Sequence, residues 1–152
     1  TVVPTVTMYQ EPIMASRITK TSVKSYEKTF RSLVDEDATG LLYVGENSNV
    51  DYVMYLFNST TGYLESCFVI LPTTTSAKTL VNKFLEQRYI YEGYSEGYNI
   101  YSRGTVLVGV GQNDEFGLFA LYLINTTTSN TASATCLHNM VQAGGKAKQA
   151  MK

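Results

Sequence analysis

From Phe116 to Ile124 the chain reads FGLFALYLI, apolar at every position but Gly117. Read as a strand, alternation puts Phe116, Leu118, Ala120, Tyr122 and Ile124 on one face and Phe119, Leu121 and Leu123 on the other. Residues 50 to 58 do the same, with Val50, Tyr52, Met54 and Leu56 opposing Asp51, Val53, Tyr55 and Phe57. An antiparallel sheet that carries helices on one side ordinarily meets water on the other, and that other face is then polar. Strands that are apolar on both faces need cover on both. Either the chain's own ends or another protein supplies it.

Further strand signals surround these two. Leu41 to Glu46 is short and runs into a turn-rich segment, Tyr63 to Leu71 stops at Pro72, and Thr105 to Gly111 precedes the turn residues 112 to 115. Tyr89 to Tyr94 and Tyr98 to Arg103 form one hairpin unit, with Gly93 and Gly97 supplying the turn between them. Two stretches have helical period instead. Thr75 or Ser76 caps the clearer one, with Ala77, Leu80, Val81, Phe84 and Leu85 in a single stripe. The other starts at Thr21 or Ser22, places Val23, Tyr26, Phe30, Leu33 and Val34 on one face, and stops at Asp35-Glu36-Asp37 and Gly40.

The expected fold is therefore α+β: an antiparallel sheet of about six strands with two helices on one face. Residues 23 to 30 line up with 77 to 84, which raises a duplicated α-β-β-β unit. Residues 1–20 read as an extended lead-in, 21–125 as the domain, and 126–152 as a polar linker and C-terminal tail. One or two helical turns are expected at Cys136 to Ala143, with a basic end from Lys146. The length of 152 residues suits one domain.

The net charge of −1 and the lack of a basic stripe argue against a nucleic-acid partner. Apolar runs are too short for a transmembrane helix. The opening Thr1-Val2-Val3-Pro4 is compatible with removal of an export signal or of a lipid-anchored leader. Cys67 and Cys136 have two readings, a disulfide or two reduced, buried thiols.

No constellation for catalysis emerges. The single histidine, His138, pairs with Cys67 only in arithmetic, since Cys67 lies mid-strand rather than at an exposed elbow. Asp35-Glu36-Asp37 lacks the spacing of a calcium loop, and Gly109-Val110-Gly111 lacks the helix of a dinucleotide fingerprint. Asn58 and Asn125 begin glycosylation sequons. No metal, cofactor or enzymatic role is expected.

Five tyrosines crowd the run YIYEGYSEGYNIY, residues 89 to 101. Tyr98 and Tyr101 must fall on opposite faces, so a single five-ring platform is excluded and cross-strand packing is the expected role. Tyr94, next to the turn, is expected to be exposed. Tyr55, Tyr94 and Tyr101 are the candidate binding residues.

The runs Tyr9-Gln-Glu-Pro12, Thr21-Ser-Val-Lys-Ser-Tyr26, Leu42-Tyr-Val-Gly45, Tyr52-Val-Met-Tyr55 and Phe84-Leu-Glu-Gln-Arg-Tyr89 resemble small exported proteins and lipoproteins of Bacteroides-type gut bacteria, of unassigned function. The helix-plus-strands order is similar to the β-lactamase-inhibitor-protein-like fold, whose members assemble envelope components or grip protein partners with a sheet face. The likeness spans roughly residues 9 to 124. The chain lacks the tryptophan common in these relatives and a glycine ahead of Thr21, so no functional residue carries over. The resemblance implies a cell-envelope, periplasmic or secreted location. The leading expectation is a non-catalytic binding or assembly module that docks a protein on the sheet face opposite the helices. A carrier or enzyme with a tyrosine-lined pocket, and a structural homodimer, are the alternatives.

Overall fold

The computed structural model describes residues 7–124, 137–142 and 144. It is α+β, with one open antiparallel sheet. The elements run α1 (Lys20–Glu27), β1 (Leu33–Asp37), β2 (Gly40–Val44), β3 (Tyr52–Phe57), β4 (Leu64–Leu71), α2 (Thr75–Glu86), β5 (Ile90–Ser95), β6 (Tyr98–Arg103), β7 (Val106–Asn113) and β8 (Gly117–Ile124). A short helix, α3, follows at residues 137–142.

A helix followed by a four-strand meander thus occurs twice. Each unit has one strand more than the α-β-β-β repeat expected. The sheet order is β1-β2-β3-β4-β8-β7-β6-β5, so the meanders join through their last strands. The seam runs from Ser66 opposite Leu123 to Leu71 opposite Leu118. These two strands are central and covered on both sides, which is why their sequences are apolar at almost every position.

The sheet has eight strands rather than about six. The tyrosine hairpin, counted as one unit, supplies both β5 and β6. The other addition is β1, whose residues have the spacing of a continuation of α1. Leu33 and Val34 stand three and four residues after Phe30 and mimic a helical stripe, yet they are 41% and 54% exposed. Their backbone pairs with β2 instead, Leu33 opposite Tyr43 and Asp37 opposite Gly40. The residues expected to stop the helix form a tight hairpin, in which the Asp37 carboxylate accepts the Thr39 N–H at 2.9 Å.

Both long helices lie on the same face. The Thr19 hydroxyl caps α1 by accepting the Ser22 N–H, and the Thr74 hydroxyl caps α2 by accepting that of Ala77. Val23 of α1 and Ala77, Val81, Phe84 and Leu85 of α2 join one cluster with Tyr55, Cys67, Val69 and Tyr122. Met8 and Tyr9 also enter this cluster, so the N-terminal segment lies on the helix side.

The opposite face is a second core. Met54, Phe68, Ile100, Leu107, Phe119 and Leu121 are buried there together with Leu137 and Val141 of α3. Leu137 sits over Gly109, where a Cβ would come within 2.5 Å of Leu137 Cδ1. Gly144 lies against the Phe68 ring in the same way. The chain therefore covers its own second face, and the reason for docking a partner there is gone.

Cys67 holds a free thiol buried on the helix side. Cys136 lies outside the described residues, as do the polar linker at 126–135 and the basic tail at 146–152. No helix among the described residues is long and apolar enough to cross a membrane.

Candidate functional site: a cleft between α2 and β5–β7

The three candidate tyrosines separate. Tyr55 is 0% and Tyr101 is 1% exposed, both in the helix-side core, whereas Tyr94 is 68% exposed. Tyr55 and Tyr101 are therefore not contact residues. Their rings fill the interior, and their hydroxyls satisfy buried polar groups.

Tyr55 donates to Glu27 Oε2 and accepts the Ile13 N–H at 3.2 Å. Glu27 is fully buried and is held by Arg31, whose Nη1 donates to Glu27 Oε1 at 2.8 Å and Oε2 at 2.6 Å. Arg31 Nε reaches Glu46 Oε1 at 3.0 Å, and its Nη2 donates to the Gln10 carbonyl. When residues 23 to 30 are set against 77 to 84, Glu27 takes the place of Val81 and Arg31 that of Leu85. One half of the molecule thus has an ion pair where the other has two aliphatic side chains.

A second polar knot gathers tyrosines around Glu11. Tyr89 donates to Glu11 Oε1 at 2.7 Å, Tyr122 does so at 3.1 Å, and the Tyr9 and Tyr122 hydroxyls lie 2.8 Å apart. Arg103 stacks its guanidinium on the Tyr89 ring, 4.3 Å from the centroid. Burial pushes Tyr9, Tyr55, Tyr89, Tyr101 and Tyr122 well above an ordinary phenol. Burial, with Glu27 nearby, takes Tyr43 to about 12. A folded pKa above the unfolded one means the native state favours the protonated phenol. The stabilisation is complete below about pH 10 and is lost as pH climbs through the raised values. In an alkaline titration, part of the phenolate absorbance should stay back until circular dichroism reports unfolding. Ionisation of every tyrosine with the fold intact would contradict these networks.

The polar groups of both knots bond one another, and Arg31 also lines a cleft of about 270 Å³ with Lys24, Lys28, Leu33 and Tyr43. A different cleft lies between α2 and the β5–β7 strands. It measures about 260 Å³, and its lining includes Lys78, Tyr94, Asn99, Val110, Gln112 and Leu118. A bulge builds its wall. The register slips between Tyr91 and Gly93, so Tyr91 opposes Tyr101 and Tyr94 opposes Asn99. Tyr91 and Tyr94, three residues apart, thereby share the helix-side face that strict alternation would deny them. Gly93 permits this through its positive φ of 113°.

The wall is braced from α2. Asn82 Nδ2 donates to the Lys78 carbonyl at 2.8 Å, and Asn82 Oδ1 accepts from the Tyr101 hydroxyl at 2.6 Å. The Tyr101 ring packs on Tyr91 at 5.2 Å, and the Tyr91 hydroxyl donates to Asn99 Oδ1 at 2.9 Å. That last bond takes one lone pair of Asn99 Oδ1, and its amide N–H donors have no partner among the described residues. Among the described residues, the side chains of Lys78, Tyr94 and Gln112 have no hydrogen bond or ion pair.

Of these residues Tyr94 alone stands out in the sequence. Lys78 falls on the polar side of the α2 stripe, and sequence reasoning misses Asn99 and Gln112. Their signal is a polar residue on the helix-side face of a strand, Asn99 two before buried Tyr101 and Gln112 two after buried Val110.

The remaining candidates for chemistry lie elsewhere. Cys67 is buried on the helix side, while His138 is exposed on α3 across the sheet. Glu36 is held between Lys20 at 3.1 Å and Lys24 at 2.8 Å, and hydrogen bonds from Lys24 and Lys20 keep its carboxyl below the usual range. Comparison with protein-family models, curated proteins and solved structures finds no match to this chain.

Proposed function

We propose that the protein is a non-catalytic binding module that holds a small polar ligand in the cleft between α2 and β5–β7. One observation carries this reading. The unpartnered side chains of Lys78, Tyr94 and Gln112 converge on a cleft whose wall is fixed by the Asn82–Tyr101–Tyr91–Asn99 chain. A concave site with a few convergent polar groups, braced by packed neighbours, is how small ligands are held. The lining contains no histidine, cysteine or carboxylate to act as nucleophile or general base, so binding fits it better than turnover. An extracytoplasmic setting belongs to the same proposal and rests on the resemblance to small exported envelope proteins.

The test is a soluble-fragment screen read by amide chemical shifts of the full chain. Perturbations should cluster at residues 94–99 and 110–112. Tyr94→Ala should weaken any such ligand at least ~10-fold, the scale of a lost aromatic contact at a binding centre. Its unfolding midpoint should stay within about 0.5 kcal/mol of the parent, as for other surface changes. Fragments that perturb only other surfaces, or a Tyr94→Ala variant that binds as well as the parent, would end this reading.

A further inference from the structure

The chemistry of the cleft narrows the class of ligand. Building on its role as a small-ligand site, we infer that the occupant is a saccharide unit, and that Lys78 favours one bearing a carboxylate. A sugar ring presents two surfaces at once. One is a patch of C–H bonds, weakly positive at hydrogen, and the other is a rim of hydroxyls that each donate and accept.

The cleft offers a counterpart to each. The Tyr94 ring is largely exposed, and its negative π-face attracts polarised C–H groups. Val110 and Leu118 continue the apolar floor. The rim is met by carboxamides. Asn99 accepts one bond from Tyr91 and presents its N–H donors to the cleft. Gln112 retains both donors and acceptor, the combination that grips neighbouring hydroxyls in pairs. The Asn82–Tyr101–Tyr91–Asn99 part of the wall is already held in place, so the ordering that binding requires falls on Lys78, Tyr94 and Gln112.

Other ligand classes fit less well. A nucleotide carries several negative charges, and Lys78 is the single charged side chain of the lining. A lipid tail needs a dry apolar tunnel, whereas amides and a lysine stand in this one. At about 260 Å³ the cleft lies just below the ~300–1,000 Å³ of ordinary ligand pockets, a size for a single sugar ring with its neighbours outside. With no carboxylate among the lining residues to neutralise Lys78, an acidic sugar gains an ion pair that a neutral sugar lacks.

The test uses the full chain and four probes: trigalacturonate, cellotriose, ATP and a neutral dipeptide, followed by amide shifts and calorimetry. Trigalacturonate should perturb residues 94–99 and 110–112 and bind ~5- to 10-fold tighter than cellotriose. Lys78→Met should erase that preference while cellotriose binding persists, and Tyr94→Ala should weaken both sugars at least ~10-fold. Equal binding of the two sugars by the parent would overturn the role of Lys78. Cleft perturbation by ATP or the dipeptide but by neither sugar would overturn the saccharide assignment and leave the binding reading standing. Silence of the cleft toward these probes and toward the fragment screen would remove both.

Discussion

Arg31→Met should destabilise the protein by about 3–5 kcal/mol, the effect of stranding a buried carboxylate without its counter-ion. Glu27 has no access to water, and among the described residues Arg31 is its one cationic partner, with Tyr55 as its other side-chain donor. Removing the guanidinium also frees the Gln10 carbonyl and Glu46, which loosens the N-terminal segment from α1.

The second half of the molecule suggests the repair. Val81 and Leu85 are buried at the corresponding positions of α2, so Glu27→Val combined with Arg31→Leu installs side chains the fold already accepts there. Replacing a buried ion pair with aliphatic groups is often neutral or better, because two desolvation penalties vanish together. The double variant should recover at least half of the single-variant loss. The remainder comes from the Tyr55 hydroxyl, which keeps its Ile13 partner but loses its acceptor. Urea unfolding midpoints at constant m-value would read both effects. A double variant as unstable as Arg31→Met alone would show that the ion pair is needed for more than mutual neutralisation.

Ending the chain before Leu137 should turn the protein into a self-associating species. The second face of the sheet holds Met54, Phe68, Ile70, Leu107, Phe119 and Leu121, and α3 covers it with Leu137 and Val141. Without that cover a broad apolar surface meets water, which soluble monomers rarely tolerate. Light scattering should report dimers or larger species for the shortened chain and a monomer for the parent. In the full-length chain, Leu137→Ala should cost about 2–4 kcal/mol, as for other fully buried leucines. Leu137→Asp should cost more, since it buries an unpaired charge. A shortened chain that stays monomeric with an unchanged unfolding midpoint would mean that α3 is not what protects this face.

Much of the fold was legible because its signals are local. The stripe Ala77-Leu80-Val81-Phe84-Leu85 set α2, and the alternating apolar runs marked β3, β4 and β8 close to their observed bounds. The error at Leu33 and Val34 came from the same source. Three- and four-residue spacing after Phe30 is satisfied by a helix and also by chance, and only the β2 backbone waiting at Leu41–Tyr43 decides for a strand.

The site was less legible. Tyr94 stood out through the glycines beside it, but its grouping with Tyr91, Asn99 and Gln112 depends on a bulge and on three strands brought side by side. Tyr55 and Tyr101 could not be separated from it by composition. A tyrosine at a strand position is equally suited to a half-wet face and to a core with a polar acceptor, and Glu27 and Asn82 supply those acceptors from elements far along the chain.

By itself the sequence determined that two helical stripes and several doubly apolar strands must share one sheet with both faces covered, since periodicity follows from backbone geometry within a few residues. The tertiary structure alone decided that β4 and β8 meet at the centre, that α3 closes the second face, and that the bulge at Gly93 turns Tyr94 toward α2. Those outcomes depend on which distant surfaces bury one another best, and no short window of residues contains that information.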